Sequence, residues 1–190
     1  MKISNVNVYG FESSVRAAKF PMSISPDEVN ETLTDGIARL ANAPIGSGHD
    51  NWLNGVIVQF DLCASLKMWT QLQRYHFIDF VSSQSTMHRI MKFGITEQCN
   101  KYVTSIAIGN LRSLVEVYNK TPSEENFLRV IYNIPTGFEL TARMTTNYRQ
   151  LKTIYRQRRN HRLREWREFC VWIESLPHSE LIIGEVSQDG

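Results

Sequence analysis

Apolar and polar positions alternate loosely over residues 2–9 (KISNVNVY), which predicts an opening strand. Ser25-Pro26-Asp27-Glu28 has the chemistry of a helix start. The hydroxyl can cap, the proline suits the first turn, and acids sit near the free N–H groups. That helix is expected to run to Ala41, followed by the breaker-rich NAPIGSG of residues 42–48. β-Branched residues cluster in VIVQFDL, residues 56–62, just after the turn signal Asn54-Gly55, and predict a second strand. Helices are expected over 65–77 and 95–118. Thr121-Pro122-Ser123-Glu124 repeats the capping pattern ahead of the apolar residues 127–132. Ile134-Pro135-Thr136-Gly137 interrupts the chain, ELTARMTT (139–146) predicts a short strand, and one long helix is expected over 147–175. Residues 1–178 read as a single domain and 179–190 as a loosely docked C-terminal tail. Strands mixed with helices, without regular alternation, predict an α+β domain rather than a doubly wound sheet. Neither GxGxxG nor a Walker loop is present, so the common nucleotide folds lack their fingerprints.

Composition narrows this only a little. The 190 residues suffice for one domain with its own core, and 42% hydrophobic with 21% charged residues is ordinary for a soluble globular protein. A net charge of +2 gives no overall pull toward polyanions. No apolar run approaches the roughly 20 residues of a membrane span, and the first residues lack the apolar core of a signal peptide. Cys63, Cys99 and Cys170 are far apart and odd in number, which predicts packing cysteines and a reducing, cytoplasmic setting. His49, His76, His88, His161 and His178 have no metal-ligand spacing, so no metal is expected.

Charge is concentrated in the last predicted helix. Between Arg149 and Arg167 stand seven Arg, one Lys and one His. A solvated helix face and a polyanion-binding stripe both have this composition. Helical phase separates the cations. Leu151, Ile154, Tyr155, Trp166, Phe169, Cys170 and Ile173 define an apolar face. Arg158 falls on that face, Arg162 lies close to it, and Asn147 falls there three turns earlier. An inward-facing Arg has to be paired or to await an anion. The same phase argues against a nucleic-acid stripe, which would place its cations along one exposed face.

A second cluster lies in QRYHFIDFVSSQSTMHRI, residues 73–90. Gln71, Arg74 and Tyr75 share a side of the helix predicted before it. Ser82-Ser83-Gln84-Ser85 is expected in a loop that offers hydroxyls and free N–H groups beside Arg89, the makings of a phosphate cradle. A capped helix junction with surface arginines explains the same residues.

In order and spacing the chain resembles the flavin-dependent thymidylate synthases. That family has Arg-His-Arg at a helix end and then a Ser-rich loop closing on Ser-x-Arg. Here stand Arg74-Tyr75-His76, then Ser82-Ser83-Gln84-Ser85 and Arg89, with Gln71 three residues before the first Arg. His49 precedes its strand as the family's His does. Ile134-Pro135 is similar to the family's Leu-Pro, and Asn147-Tyr148-Arg149-Gln150-Leu151 to its Asn-x-Arg-x-Leu. The resemblance covers roughly residues 49–89 and 129–173. It departs where Tyr75 and His76 replace His and the second Arg, and where Asp79 replaces Ser. The short chain and altered motif mark a divergent version, with a viral source as one reading.

The resemblance implies a twisted, mixed sheet flanked by helices. It also implies a homotetramer with active sites shared between subunits, FAD as cofactor, and NADPH and methylenetetrahydrofolate as co-substrates. The implied reaction adds a one-carbon unit to C5 of dUMP and then reduces it. Carried over residue by residue, His49 and Arg158 become the catalytic candidates. Arg74, Tyr75, His76, Asn147, Arg149 and His161 would meet the flavin. Gln71, Gln84, Ser85, Arg89, Arg129 and Arg158 would hold the pyrimidine nucleotide, the arginines on its phosphate. A protein that keeps the nucleotide grip and has lost FAD is the alternative. In either case the inward Arg158 is expected to meet the polar segment after residue 80.

Overall fold

The computed structural model describes residues 1–44 and 46–184. It is an α+β fold built on a four-stranded sheet of order β1-β2-β4-β3, with β1 Lys2–Tyr9, β2 Ile57–Ser65, β3 Ile78–Ser83 and β4 Glu139–Asn147. All three pairings are antiparallel, where the resemblance implied a mixed sheet. Strict alternation makes β2 and β4 the centre. Val58, Phe60, Leu62 and Ala64 of β2 and Ala142, Met144 and Thr146 of β4 point to one buried face. The opposite face is polar, with Asp61 bridged to Arg143 at 3.2 Å.

The buried face is covered by α8 Tyr148–Arg158, α9 Arg164–Glu174 and α10 Glu180–Ile183, whose Leu151, Ile154, Trp166, Phe169, Ile173, Leu181 and Ile182 share one core with the sheet. Of the segment expected as a tail, Leu181 and Ile182 are fully buried, and residues 185–190 lie outside the described residues. The remaining elements are α1 Phe11–Ala18, α2 Asp35–Ala41, α3 Leu66–Leu72, α4 Thr86–Arg89, α5 Ile95–Gln98, α6 Ser105–Lys120 and α7 Glu124–Tyr132. A smaller core of Ile90, Ile95, Leu111, Val130 and Phe138 holds α5, α6 and α7 together.

Four expectations are corrected. Pro26–Glu28 forms only a 3₁₀ turn, and α2 starts later, where the Thr34 hydroxyl accepts from the Ile37 N–H at 3.4 Å. Between them the Asn30 side chain accepts from the Thr32 N–H at 3.1 Å, and Lys19 Nζ donates to the Asn30 and Thr32 carbonyls. That local turn competes with the helix. The helix predicted over 95–118 breaks at 99–104, where the Asn100 N–H donates to the Gly137 carbonyl at 3.0 Å and Thr104 caps α6. A side chain at Gly137 would strike Val103, since its Cβ would lie 2.5 Å from Cγ2. The long C-terminal helix is two helices. The Leu163 N–H donates to His161 Nδ1 at 3.0 Å, and Arg167 donates to the His161 and Arg162 carbonyls at 2.6 and 3.1 Å. Side-chain bonds thus replace the helical ladder over 159–163. Finally, the helix starting at Ser65 ends at Leu72, and the segment after it is the edge strand β3, with Phe80 and Val81 exposed. The other edge, β1, carries a register irregularity between Ser4 and Asn7, with Asn5 at φ 51°.

Candidate functional site

Arg158 closes α8 within reach of the residues just after α3. Ser65 sets that geometry, because its hydroxyl caps α3 at the Met68 N–H (3.2 Å) while its own N–H and hydroxyl bind the buried Glu165 carboxylate of α9. Trp166 then reaches α3, donating its indole N–H to Gln71 Oε1 at 2.7 Å. The Arg158 guanidinium lies over two aromatic rings, 4.8 Å from the Trp166 centroid and 5.5 Å from that of Tyr75. Its Nε–H donates to the Tyr75 hydroxyl at 2.7 Å, and that hydroxyl donates to Gln157 Oε1 at 2.9 Å. Among the described residues no carboxylate pairs with Arg158. A half-buried cation is therefore held flat by π-faces and one hydroxyl, with its terminal N–H groups left over.

His161 completes this corner, edge-on to Trp166 at 6.5 Å. Burial lowers its pKa, and the Arg158 and Arg167 charges lower it further, so the ring is neutral near pH 7. Since Nδ1 accepts from the Leu163 N–H, the ring proton is assigned to Nε2.

The residues after position 80 are arranged otherwise than expected. Ser82 and Ser83 pair with Arg143 and Ala142 inside the sheet. Gln84 extends the ladder twice over. Its N–H donates to the Thr141 carbonyl at 2.9 Å, and its Oε1 accepts from the Thr141 N–H at 2.8 Å. Ser85 stands at the start of α4 without a side-chain capping bond, and Arg89 is exposed. No hydrogen bond joins Arg158 to residues 82–89 among the described residues; within one chain the guanidinium meets Tyr75 and Trp166 instead. Arg129 lies apart on α7, exposed and paired with Glu125 at 2.5 Å.

Asn147 caps α8, its Oδ1 accepting from the Gln150 N–H at 2.8 Å, which leaves its amide donors free. Arg149 donates Nε–H to Asp50 at 3.2 Å. His49 precedes Asp50 in an exposed turn, while Asp50 itself is buried. Lys152, also buried, donates to Asp50 Oδ2 at 2.8 Å and to the carbonyls of Ala41 and Ala43. Burial raises the Asp50 pKa, yet the hydrogen bonds and charges of Lys152 and Arg149 outweigh it and hold the carboxyl below its ordinary range. Of this cluster only Arg149 is among the expected site residues; Asp50 and Lys152 are not. Its signal was phase, since Lys152 stands one turn from Tyr148 on the stripe that also holds Leu151 and Tyr155. Arg74 and His76 are exposed. With Lys152 buried, Arg149 paired and Arg158 turned onto aromatics, the basic residues form no single exposed stripe. Among the described residues no group of His, Cys, Asp and Glu could hold a metal ion, and no helix is long and apolar enough to cross a membrane.

No family model matches the sequence, and no curated protein does. Solved structures match over nearly the whole chain. A flavin-dependent thymidylate synthase, ThyX, from Helicobacter pylori, complexed with FAD and dUMP, superimposes with a TM-score of 0.74 at 13% identity, covering 96% of this chain and 98% of that one. A second structure of Helicobacter pylori thymidylate synthase X with FAD and dUMP gives a TM-score of 0.77 at 14% identity, with the same coverage. Likeness at this identity shows the fold.

Proposed function

We propose that this chain is a flavin-dependent thymidylate-synthase-like enzyme that binds a pyrimidine deoxynucleotide, dUMP, and transfers a one-carbon unit to its C5. The observation that carries the reading is the end-to-end match in fold to two ThyX complexes with FAD and dUMP. The chain's own geometry supports it: Arg158 is a half-buried cation with no acid partner among the described residues. An incoming phosphate would give its remaining N–H groups charge-assisted bonds in a partly dry setting. Gln71, Gln84, Ser85, Arg89 and Arg129 stay in the proposal as nucleotide contacts, and His49 and Arg158 as the catalytic candidates. Because Arg158 and residues 84–89 do not meet in one chain, the proposal places the complete site between copies in a self-associated assembly, a homotetramer by resemblance.

The residues assigned to the flavin fit an anionic group in part. Arg74 and His76 are exposed, Arg149 keeps its terminal N–H groups, and Asn147 keeps its amide donors. Bound reduced FAD would supply a hydride. The chain's own residues would hold its phosphates and keep the nucleotide in register through Arg158, with NADPH and methylenetetrahydrofolate as co-substrates.

One observation favours a second reading, a nucleotide binder without flavin. Tyr75, where the family has His, is bound to Arg158 and Gln157, and His76 stands where the family has Arg. Two measurements on the freshly purified protein separate the readings. The enzyme is expected to show the visible absorption of oxidised flavin, to be thermally stabilised by dUMP, and to form dTMP. A colourless protein that binds no added FAD but is stabilised by dUMP establishes the binder. A protein that responds to neither ligand overturns both.

A further inference from the structure

A cleft of about 920 Å³ is lined by none of the residues proposed above for the nucleotide or the flavin, though Ser65 and Glu165 reach it. Its walls are the 100–104 loop and first turn of α6, the 135–137 turn, the ends of β2 and β4, and the start of α9. We propose that this cleft is a second binding site, for a nucleotide bearing a polyphosphate. The inference goes beyond the thymidylate-synthase reading and uses none of its residues.

Charge comes first. Lys67, Lys101, Arg162, Arg164 and Arg167 line the cleft. The acids there are Glu139, Glu165 and Glu168. Glu165 accepts from the Ser65 N–H and hydroxyl, and Glu168 pairs with Arg164 at 2.7 Å. Glu139 faces the Met1 ammonium at 3.6 Å. Lys67, Lys101 and Arg162 are exposed cations with no acid partner among the described residues. Three such charges lining one hollow match a ligand with several negative charges, rather than a single carboxylate. The first turn of α6 reaches the cleft at Thr104 and Ala107, where the Thr104 hydroxyl accepts from the Ala107 N–H at 3.3 Å.

Shape supplies the rest. Val103, Ala107, Pro135 and Leu163 give the cleft apolar walls, and Tyr102, largely exposed with Lys101 Nζ 5.3 Å from its ring centroid, offers a planar base the ring face that Lys101 leaves open. Gly137 keeps the turn pressed on Val103, so the 135–137 wall is held in place.

The test is thermal shift and calorimetry on the full chain with ATP, inorganic tripolyphosphate and adenosine as probes. ATP is expected to bind and to raise the Tm, tripolyphosphate to bind more weakly, and adenosine not to bind. Lys67→Glu with Lys101→Glu should weaken ATP by roughly tenfold or more, as the loss of charge-assisted contacts requires, and Arg158→Ala should leave ATP binding unchanged. Both lysines are exposed, so the double variant should keep the parent Tm without ligand. The proposal fails if ATP does not bind, if the lysine double variant binds it normally, if Arg158→Ala abolishes binding, or if tripolyphosphate equals ATP. None of these results bears on dUMP or flavin binding, so the two proposals stand or fall separately.

Discussion

Two inward-facing cations on α8 show how much one residue's phase can reveal. Arg158 and Lys152 both fall on the apolar side of the helix, though the sequence reading places only Arg158 there. What the spacing cannot contain is the partner. Lys152 meets Asp50, a hundred positions away in the chain, whereas Arg158 meets two aromatic rings and a hydroxyl. Arg158→Ala is therefore expected to weaken dUMP binding by roughly tenfold or more, the range for a charge-assisted bond. Arg159→Ala, on the exposed side, should change it less than about twofold by the same scale; calorimetry on the two variants makes the comparison, and equal effects would count against the assignment. Lys152→Met leaves the buried Asp50 carboxylate with Arg149 alone and takes the donor from the Ala41 and Ala43 carbonyls, and should cost about 1–3 kcal/mol of stability in urea unfolding, the range for buried polar groups left short of a partner. The sign with pH follows. Asp50 titrates below its ordinary value in the folded chain, so its contribution is complete above the unfolded pKa of about 4. It fades as pH falls through the lower folded value, and in Lys152→Met that acid sensitivity should shrink.

At the scale of elements, the strongly patterned segments were legible and the joints were not. β2 and β4 follow from their β-branched content, and the apolar face expected of the C-terminal helix, Leu151, Ile154, Tyr155, Trp166, Phe169, Cys170 and Ile173, is buried. The joint between α8 and α9 was missed because its cause is a set of side-chain bonds from His161 and Arg167 that replace the helical ladder. β3 was missed because its serines read as a loop; pairing with β4 decides their conformation. That same error led to the expectation that Arg158 meets the Ser-rich segment. The joint at α9 depends on Glu165, buried with Ser65 across the sheet end. Glu165→Gln keeps one acceptor but puts an amide N–H₂ where a carboxylate oxygen took the hydroxyl proton. It is expected to cost about 1–3 kcal/mol, seen as a Tm drop of roughly 2–4 °C for each kcal/mol in a chain of this size. An unchanged Tm would show that α9 is held by its aromatic contacts alone.

The whole molecule is a sheet with one dry face and one polar face, and a small satellite core under α5, α6 and α7. The α+β class was legible because no regular strand–helix alternation runs through the sequence. The antiparallel order β1-β2-β4-β3 was not, since strand neighbours are chosen by long-range contact rather than by local pattern. That order leaves two unlike borders. The kink at Asn5 spoils β1 as a template for a foreign strand, a common protection against clumping. β3 has no lysine, and Phe80 and Val81 lie open to solvent. A lone chain would thus be prone to sticking on one side only, and whatever shields that border in solution also governs how concentrated the protein can become before it precipitates.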